Sequence, residues 1–167
     1  MPRVRKPPRA GKTTSGAGIF TPIGKSLRKS KRPAGSDVKV LDVGRYGDLK
    51  RREKVGDKLE HDHIPSSAAL KKAEEKRLGR KLTSKELADI HRQGTAIEIP
   101  SKVHAKSDTY RGRNTKSQID SDAADLGAAA KRDYATTRKN LLADGHSPAD
   151  VDAAIDKMKL LNKAKGI

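Results

Sequence analysis

Cysteine is absent from the 167-residue sequence. This excludes disulfides, thiolate zinc sites and cysteine nucleophiles, and leaves His, Asp, Glu and Asn as the side chains able to hold a metal. Aromatic residues are scarce at 2%, and hydrophobic residues of all kinds reach only 33%. A core drawn from so little apolar material must be small, helical and based on Ala and Leu. No segment comes near the ~20 consecutive apolar residues of a membrane helix, so no membrane span is expected and the protein should be soluble. The apolar patch around Ile19 and Phe20 is too short and interrupted for the core of a signal peptide, and no self-encoded export is expected. No repeat of fixed period is present.

What the chain has in excess is positive charge: 38 Lys and Arg against 21 Asp and Glu, a formal charge of +17 and a pI of about 10.2. Clustered cations gain free energy by releasing counterions from nucleic acid, so the expected partner is DNA, or RNA, ahead of an acidic membrane surface. Charge alone fits a nuclease and a noncatalytic nucleic-acid-binding protein of ribosomal or nucleoid type. Residues 1–37 are rich in Pro, Gly, Ser, Lys and Arg, with no acidic residue before Asp37. They cannot bury enough apolar surface to offset their ordering entropy, and read as a basic disordered arm or linker with nonspecific affinity for phosphate. Ala10-Gly11-Lys12-Thr13-Thr14 resembles the end of a phosphate loop. Lys6 stands where its first glycine should be and no apolar strand precedes it, so nucleotide binding is rejected.

Residues 38–167 read as one α+β domain, mainly helical, with two or three short strands. Residues 38–43 alternate as a short strand ending at the turn signals Gly44 and Gly47. Residues 58–64 form an extended segment; strict alternation puts His61 and His63 on one face and Asp62 on the other, while a turn at Pro65 would bring Asp62 and His63 into one cleft. A helix is expected over 67–78, capped by Ser66 or Ser67 and stopped by Gly79. A second starts at Thr83, where Thr83 and Glu86 form a capping box and Leu82 and Leu87 a hydrophobic staple, and it ends near Gly94. His91, in its last turn, suits a protonated imidazole favoured by the helix dipole. Residues 95–99 read as a strand with Ile97 and Ile99 on one face. A helix over 101–108 would set His104 and Asp108 four residues apart on one face. An alanine-rich helix is expected over 121–142, with Asp144 and Gly145 as its stop, and a last helix from Ser147 and Pro148, burying Val151, Ile155, Met158 and Leu161 or Leu160.

Two clusters stand out: Glu60-His61-Asp62-His63-Ile64-Pro65-Ser66, and Ile99-Pro100-Ser101-Lys102-Val103-His104 through Thr109-Tyr110-Arg111-Gly112-Arg113-Asn114. Phosphodiester hydrolysis needs a base for water, a cation for the scissile phosphate and the leaving oxygen, and donors that hold the strand. These clusters supply all three, with His63 the chosen base. Tyr46, Asp48, His61 and Tyr110 are candidates for supporting roles, Tyr46 first as a packing residue at core or rim.

Asp62-His63-Ile64-Pro65-Ser66, then Ile97-Glu98-Ile99-Pro100-x-x-Val103-His104 and Thr109-Tyr110-x-Gly112-Arg113-Asn114, together resemble the His-Me finger (HNH-type, ββα-metal) nuclease domains of bacterial polymorphic toxins, the Rhs, type VI secretion and contact-dependent classes. The resemblance covers residues from about 46 to 115. It implies a ββα-metal core over about 58–116, with an inserted helical pair, and a helical C-terminal part over 119–164. It makes His63 the general base and Asp62 and His104 ligands of one divalent cation. Asp108 and Asn114 are alternative ligands, and His61 is an alternative to Asp62. Arg111 and Arg113 would hold phosphate. A donor set rich in oxygen suits Mg²⁺ or Mn²⁺, with Zn²⁺ admissible. The resemblance further implies an antibacterial DNase effector, secreted with a larger delivery protein or secretion apparatus, acting in the target-cell cytoplasm and neutralised by a cognate immunity protein. The rival readings are the noncatalytic binder and a metal-independent RNase toxin using His63 and His104 as acid and base.

Overall fold

The computed structural model describes residues 37–167; the basic arm and its Gly11-Lys12-Thr13 segment lie outside the described residues. The elements follow in the order β1 (Val43–Arg45), α1 (Tyr46–Lys50), β2 (Leu59–His63), α2 (Ser67–Leu78), α3 (Ser84–Gln93), β3 (Thr95–Pro100), α4 (Ser101–His104), a 3-10 turn at Arg111–Arg113, α5 (Lys116–Asp122), α6 (Leu126–Ala143) and α7 (Pro148–Lys163). Helices dominate around a small antiparallel sheet of order β1-β3-β2, so the α+β reading holds. No helix among the described residues is long and apolar enough to cross a membrane.

β3 is the buried centre of the sheet. Ile97 and Ile99 face α4, α6 and α7, in a cluster with Val43, Val103, Tyr134, Val151, Ile155 and Met158. Burying each such side chain is worth about 1.5–3 kcal/mol. Ala96 faces the other way, into a smaller cluster with Val38, Leu49 and Tyr46. β2 pairs with β3 in the register Glu60↔Ile99, His61↔Glu98, Asp62↔Ile97 and His63↔Ala96. Directly opposed residues share a face, so the fate of every β2 side chain follows from β3.

The helical pair between β2 and β3 forms as its local signals require. The Ser66 side chain caps α2 by accepting from the Ala69 N–H, and Gly79 ends the helix at φ 67°. Thr83 and Glu86 close a reciprocal capping box at the start of α3. Leu82 and Leu87 join Leu70, Ile90 and Leu126 in a second apolar cluster.

Three expectations fail for identifiable reasons. Residues 38–43 are not a strand, because Asp42 N–H bonds back to the Lys39 carbonyl and Leu41 takes φ 70°; Leu41 and Asp42 still exchange backbone bonds with Glu98, but the regular ladder starts at Val43, with Gly44 inside the strand and Gly47 inside α1. The helix over 101–108 stops at His104, so His104 and Asp108 do not share a helical face. The alanine-rich stretch is broken, since Asp125 accepts from the Ala128 N–H and starts α6 afresh after α5. Alanine permits helix anywhere in that run, and the cap decides where it begins.

In α7, Val151, Ile155 and Met158 are buried and Leu161 packs against them, while Leu160 is 69% exposed. Asn162, 2% exposed, donates through Nδ2 to the Ile64 carbonyl at 2.7 Å and to the Tyr134 hydroxyl at 2.6 Å. This ties the last helix to the residue that follows β2. Removing a buried donor strands its acceptors, so Asn162→Ala should lower the unfolding free energy by about 2 kcal/mol in urea titration; a midpoint equal to that of the parent would mean that this bond does not hold α7 in place.

Candidate functional site

One face of β2 carries a cluster of aromatic and imidazole rings. The Tyr46 N–H donates to the Gly94 carbonyl at 2.9 Å, which sets its ring against three histidines. Tyr46 stacks on His63 with centroids 4.5 Å apart, lies 4.2 Å from His91, and meets His61 edge-on at 5.4 Å. His63 is 9% exposed, and its Nε2–H donates to the His91 carbonyl at 3.0 Å. That bond fixes the tautomer and leaves the lone pair on Nδ1. Burial pushes the His63 pKa down to about 4, against the pull of the His91 carbonyl. The ring is therefore neutral near pH 7, with Nδ1 an unprotonated acceptor. It rests against the bare Cα of Gly94, where an added Cβ would lie 2.7 Å from His63 Cδ2.

Two further histidines differ from their sequence expectations. Burial, with Lys71 and Arg92 nearby, pushes the His91 pKa down, so this ring is neutral instead of a dipole-stabilised cation; its Nδ1 bonds Ser67 Oγ at 2.9 Å. His61 bonds the Glu98 carboxylate through Nδ1 and Glu53 Oε2 through Nε2 at 3.0 Å. Burial opposes its protonation, but the two carboxylates outweigh it and raise the pKa. His61 thus straps the 51–58 loop to β3.

The opposite face of β2 carries acids. Asp62, 4% exposed, places Oδ1 3.3 Å from His104 Nε2, while His104 Nδ1 bonds Glu60 Oε2 at 2.7 Å. Burial depresses the His104 pKa, but Asp62 and Glu60 together raise it. Tyr110 meets the His104 ring edge-on at 4.8 Å. Arg111 and Arg113 flank that tyrosine, their guanidinium carbons 4.9 and 5.9 Å from its centroid, and Arg113 also donates to the Ala105 carbonyl. From α6, Asp133 is 4% exposed; Arg132 holds its Oδ1, and Oδ2 has no partner among the described residues. Burial pushes the Asp133 pKa up to about 6, against the pull of the Arg132 guanidinium.

Asp62 and His63 therefore do not share a cleft, because β2 stays regular to its last residue and alternation parts them. Asp108 turns away after α4 and accepts from Thr136 Oγ1 at 3.1 Å. Asn114 donates to Ser66 Oγ at 3.4 Å and keeps a buried Oδ1 with no partner among the described residues. Asp48 is occupied by Arg45 and Arg51 at the surface. Among the described residues no three His, Cys, Asp or Glu side chains converge on one point, so the expected set of ligands is not assembled. Of the expected ligands, the structure brings Asp62 and His104 together, with Glu60 on the other nitrogen of the imidazole. Sequence reasoning passed over Glu60, Glu53, Glu98, Asp133 and the His91 carbonyl. Alternation from Asp62 was enough to reach Glu60; the others come from distant segments.

Gly94→Ala should keep the α3–β3 connection but push the His63 ring off its carbonyl partner, visible as a changed His63 imidazole resonance; an unchanged resonance would mean that the ring does not depend on this close approach. Asp133 gives a pH signature. Its folded pKa of about 6 exceeds the 3.8 of a free aspartate, so its contribution to stability is complete below 3.8 and is lost as pH rises through about 6. Asp133→Asn should flatten this part of the stability curve in urea titrations across that range; an unaltered slope would place the loss elsewhere.

Over 130 residues, 78% of its length, the chain is 48% identical to Deoxyribonuclease CdiA of Dickeya dadantii (strain 3937). That stretch is 4% of the relative's own length, so the chain spans a small part of the protein it resembles. No family model matches the chain, and no solved structure matches it significantly.

Proposed function

We propose that this chain is a metal-dependent deoxyribonuclease unit of an antibacterial toxin. The observation that carries the reading is the state of His63: a neutral, buried imidazole whose Nε2–H is held by a carbonyl and whose Nδ1 is left as a base. The 48% identity to a protein named Deoxyribonuclease CdiA supports hydrolysis of DNA as the activity. The β2–β3 hairpin followed by α4 is read as the ββα unit, with α2 and α3 inserted into its connection.

His63 Nδ1 accepts a proton from the attacking water, and the His91 carbonyl stabilises the imidazolium that forms. Asp62 and His104 would hold the divalent cation, Mg²⁺ or Mn²⁺ ahead of Zn²⁺, with Glu60 fixing the His104 tautomer. Such a cation, when bound, neutralises charge on the scissile phosphate and the leaving oxygen. β2 is an edge strand, so a DNA strand lying over its end can meet both faces at once. Arg111 and Arg113 hold flanking phosphate. Asn114, whose Oδ1 has no partner among the described residues, is a better further ligand than Asp108, whose carboxylate is engaged by Thr136. The toxin resemblance supports delivery within a larger protein into target cells, and a cognate immunity protein in the producer.

The test is plasmid degradation with Mg²⁺, Mn²⁺, Zn²⁺ or chelator, beside an RNA substrate. His63→Ala should lose ~10²- to 10⁴-fold in cleavage rate while still retarding DNA in a gel. Asp62→Ala and His104→Ala should lose the rise in melting temperature that metal gives the parent. Cleavage of RNA alone in chelator would select the RNase reading, and retarded but intact DNA under every metal the passive binder.

A further inference from the structure

Along the 51–58 loop and the edge of β2 left unpaired among the described residues lies an open cavity of about 540 Å³. This is within the range of ~300–1,000 Å³ typical of small-ligand sites. His104 and Glu60 border it from the acidic face of β2, and His61 and Tyr46 from the ring face. The cavity is thus continuous with the site described above without containing Asp62 or His63.

Its walls hold charges of both signs, but the acids are already engaged. Glu53 is bonded by Lys50 at 2.7 Å and by His61 at 3.0 Å. Glu60 is bonded by His104, and Asp57 Oδ1 accepts from the Leu59 N–H at 2.9 Å. Lys54 and Lys58, both exposed, have no carboxylate partner among the described residues, and residues 1–36 contain no acid that could supply one. Lys58 also takes φ 64°, held there while its carbonyl accepts from the Ser101 N–H at 2.9 Å. Such left-handed backbone in a residue with a long side chain persists only where its surroundings enforce it, and it concentrates at binding sites. Tyr46, Leu59 and Val55, the last 91% exposed, add apolar surface to the same walls. Two unspent cations beside an apolar wall match a phosphate joined to a sugar and a base.

We propose that this cavity is a subsite for one nucleotide of the substrate strand flanking the cleaved bond, with Lys54 and Lys58 on its phosphate and Tyr46, Val55 and Leu59 against its sugar and base. Naming the strand as DNA rests on the nuclease reading; the cavity and its two lysines do not. The 51–58 loop, strapped to β3 through His61 and Glu98, is then a specificity-determining element outside the catalytic groups.

The experiment is binding of a fluorescein-labelled DNA duplex to the 167-residue chain in chelator, where metal-dependent cleavage is suppressed, at several salt concentrations. Lys54→Gln/Lys58→Gln is compared with Lys139→Gln/Lys157→Gln, which removes the same charge from exposed positions on α6 and α7. The first pair should weaken binding about tenfold and make the dependence of log K on log salt shallower by about one to two, while the second changes both much less. Equal losses in the two pairs, or none in either, would overturn the subsite. Thymidine monophosphate that binds the parent in a lysine-dependent way, with duplex binding indifferent to the same lysines, would reassign the cavity to a free nucleotide and also overturn it. A parent that never cuts DNA under any metal, but whose binding still depends on Lys54 and Lys58, would remove the nuclease reading and leave the subsite standing.

Discussion

The rest of the structure depends on the antiparallel register between β2 and β3. β3 is buried on both faces, so its alternation is not negotiable: Ile97 and Ile99 must enter the main core, and Ala96 must face the smaller one. A slip of one residue would send His61 and His63 into the aliphatic cluster and expose the acids to the aromatic side. Pairing Asp62 with Ile97 and His63 with Ala96 is therefore what separates a ring face from an acid face along one short strand.

Each face then neutralises its own polar groups. On the ring side a backbone carbonyl takes the His63 proton donor, and two carboxylates take His61. On the acid side His104 lies between Asp62 and Glu60. Buried polar groups of this density are tolerable only when nearly all are bonded, and among the described residues only four buried side-chain atoms lack a partner: Arg52 Nε, Asn114 Oδ1, Asp133 Oδ2 and Asn162 Oδ1. The helices give this arrangement its rigidity: α3 delivers the His91 carbonyl, α4 delivers His104, and α7 holds the residue after β2 through Asn162.

Much of the fold was legible because its signals are local. Ser66, Gly79, Thr83 with Glu86, and Pro148 each satisfy or remove a terminal backbone group within a few residues, so α2, α3 and α7 could be placed closely. The errors came where local signals were silent or ambiguous. Alternation at 38–43 resembled a strand, but a turn through Leu41 broke it. Alanine after residue 121 favoured helix without saying where one helix ends and the next begins. The length of α4 was set by its neighbours, and with it the separation of Asp108 from His104.

For the site the division is the same. The chain's own pattern determined that the segment from Thr95 is a strand, that no thiolate chemistry is available, and that positive charge is in large excess, while it left open whether Asp62 lies opposite His63 or beside it. Composition and period-2 geometry suffice for these, since they involve only residues close in sequence. Only the tertiary structure decided that the His91 carbonyl meets His63, that Glu98 and Glu53 take His61, that Glu60 supports His104, and that Arg132 holds a buried Asp133. Most of these contacts join segments tens of residues apart, and their geometry follows from how whole elements pack, which no local spacing encodes.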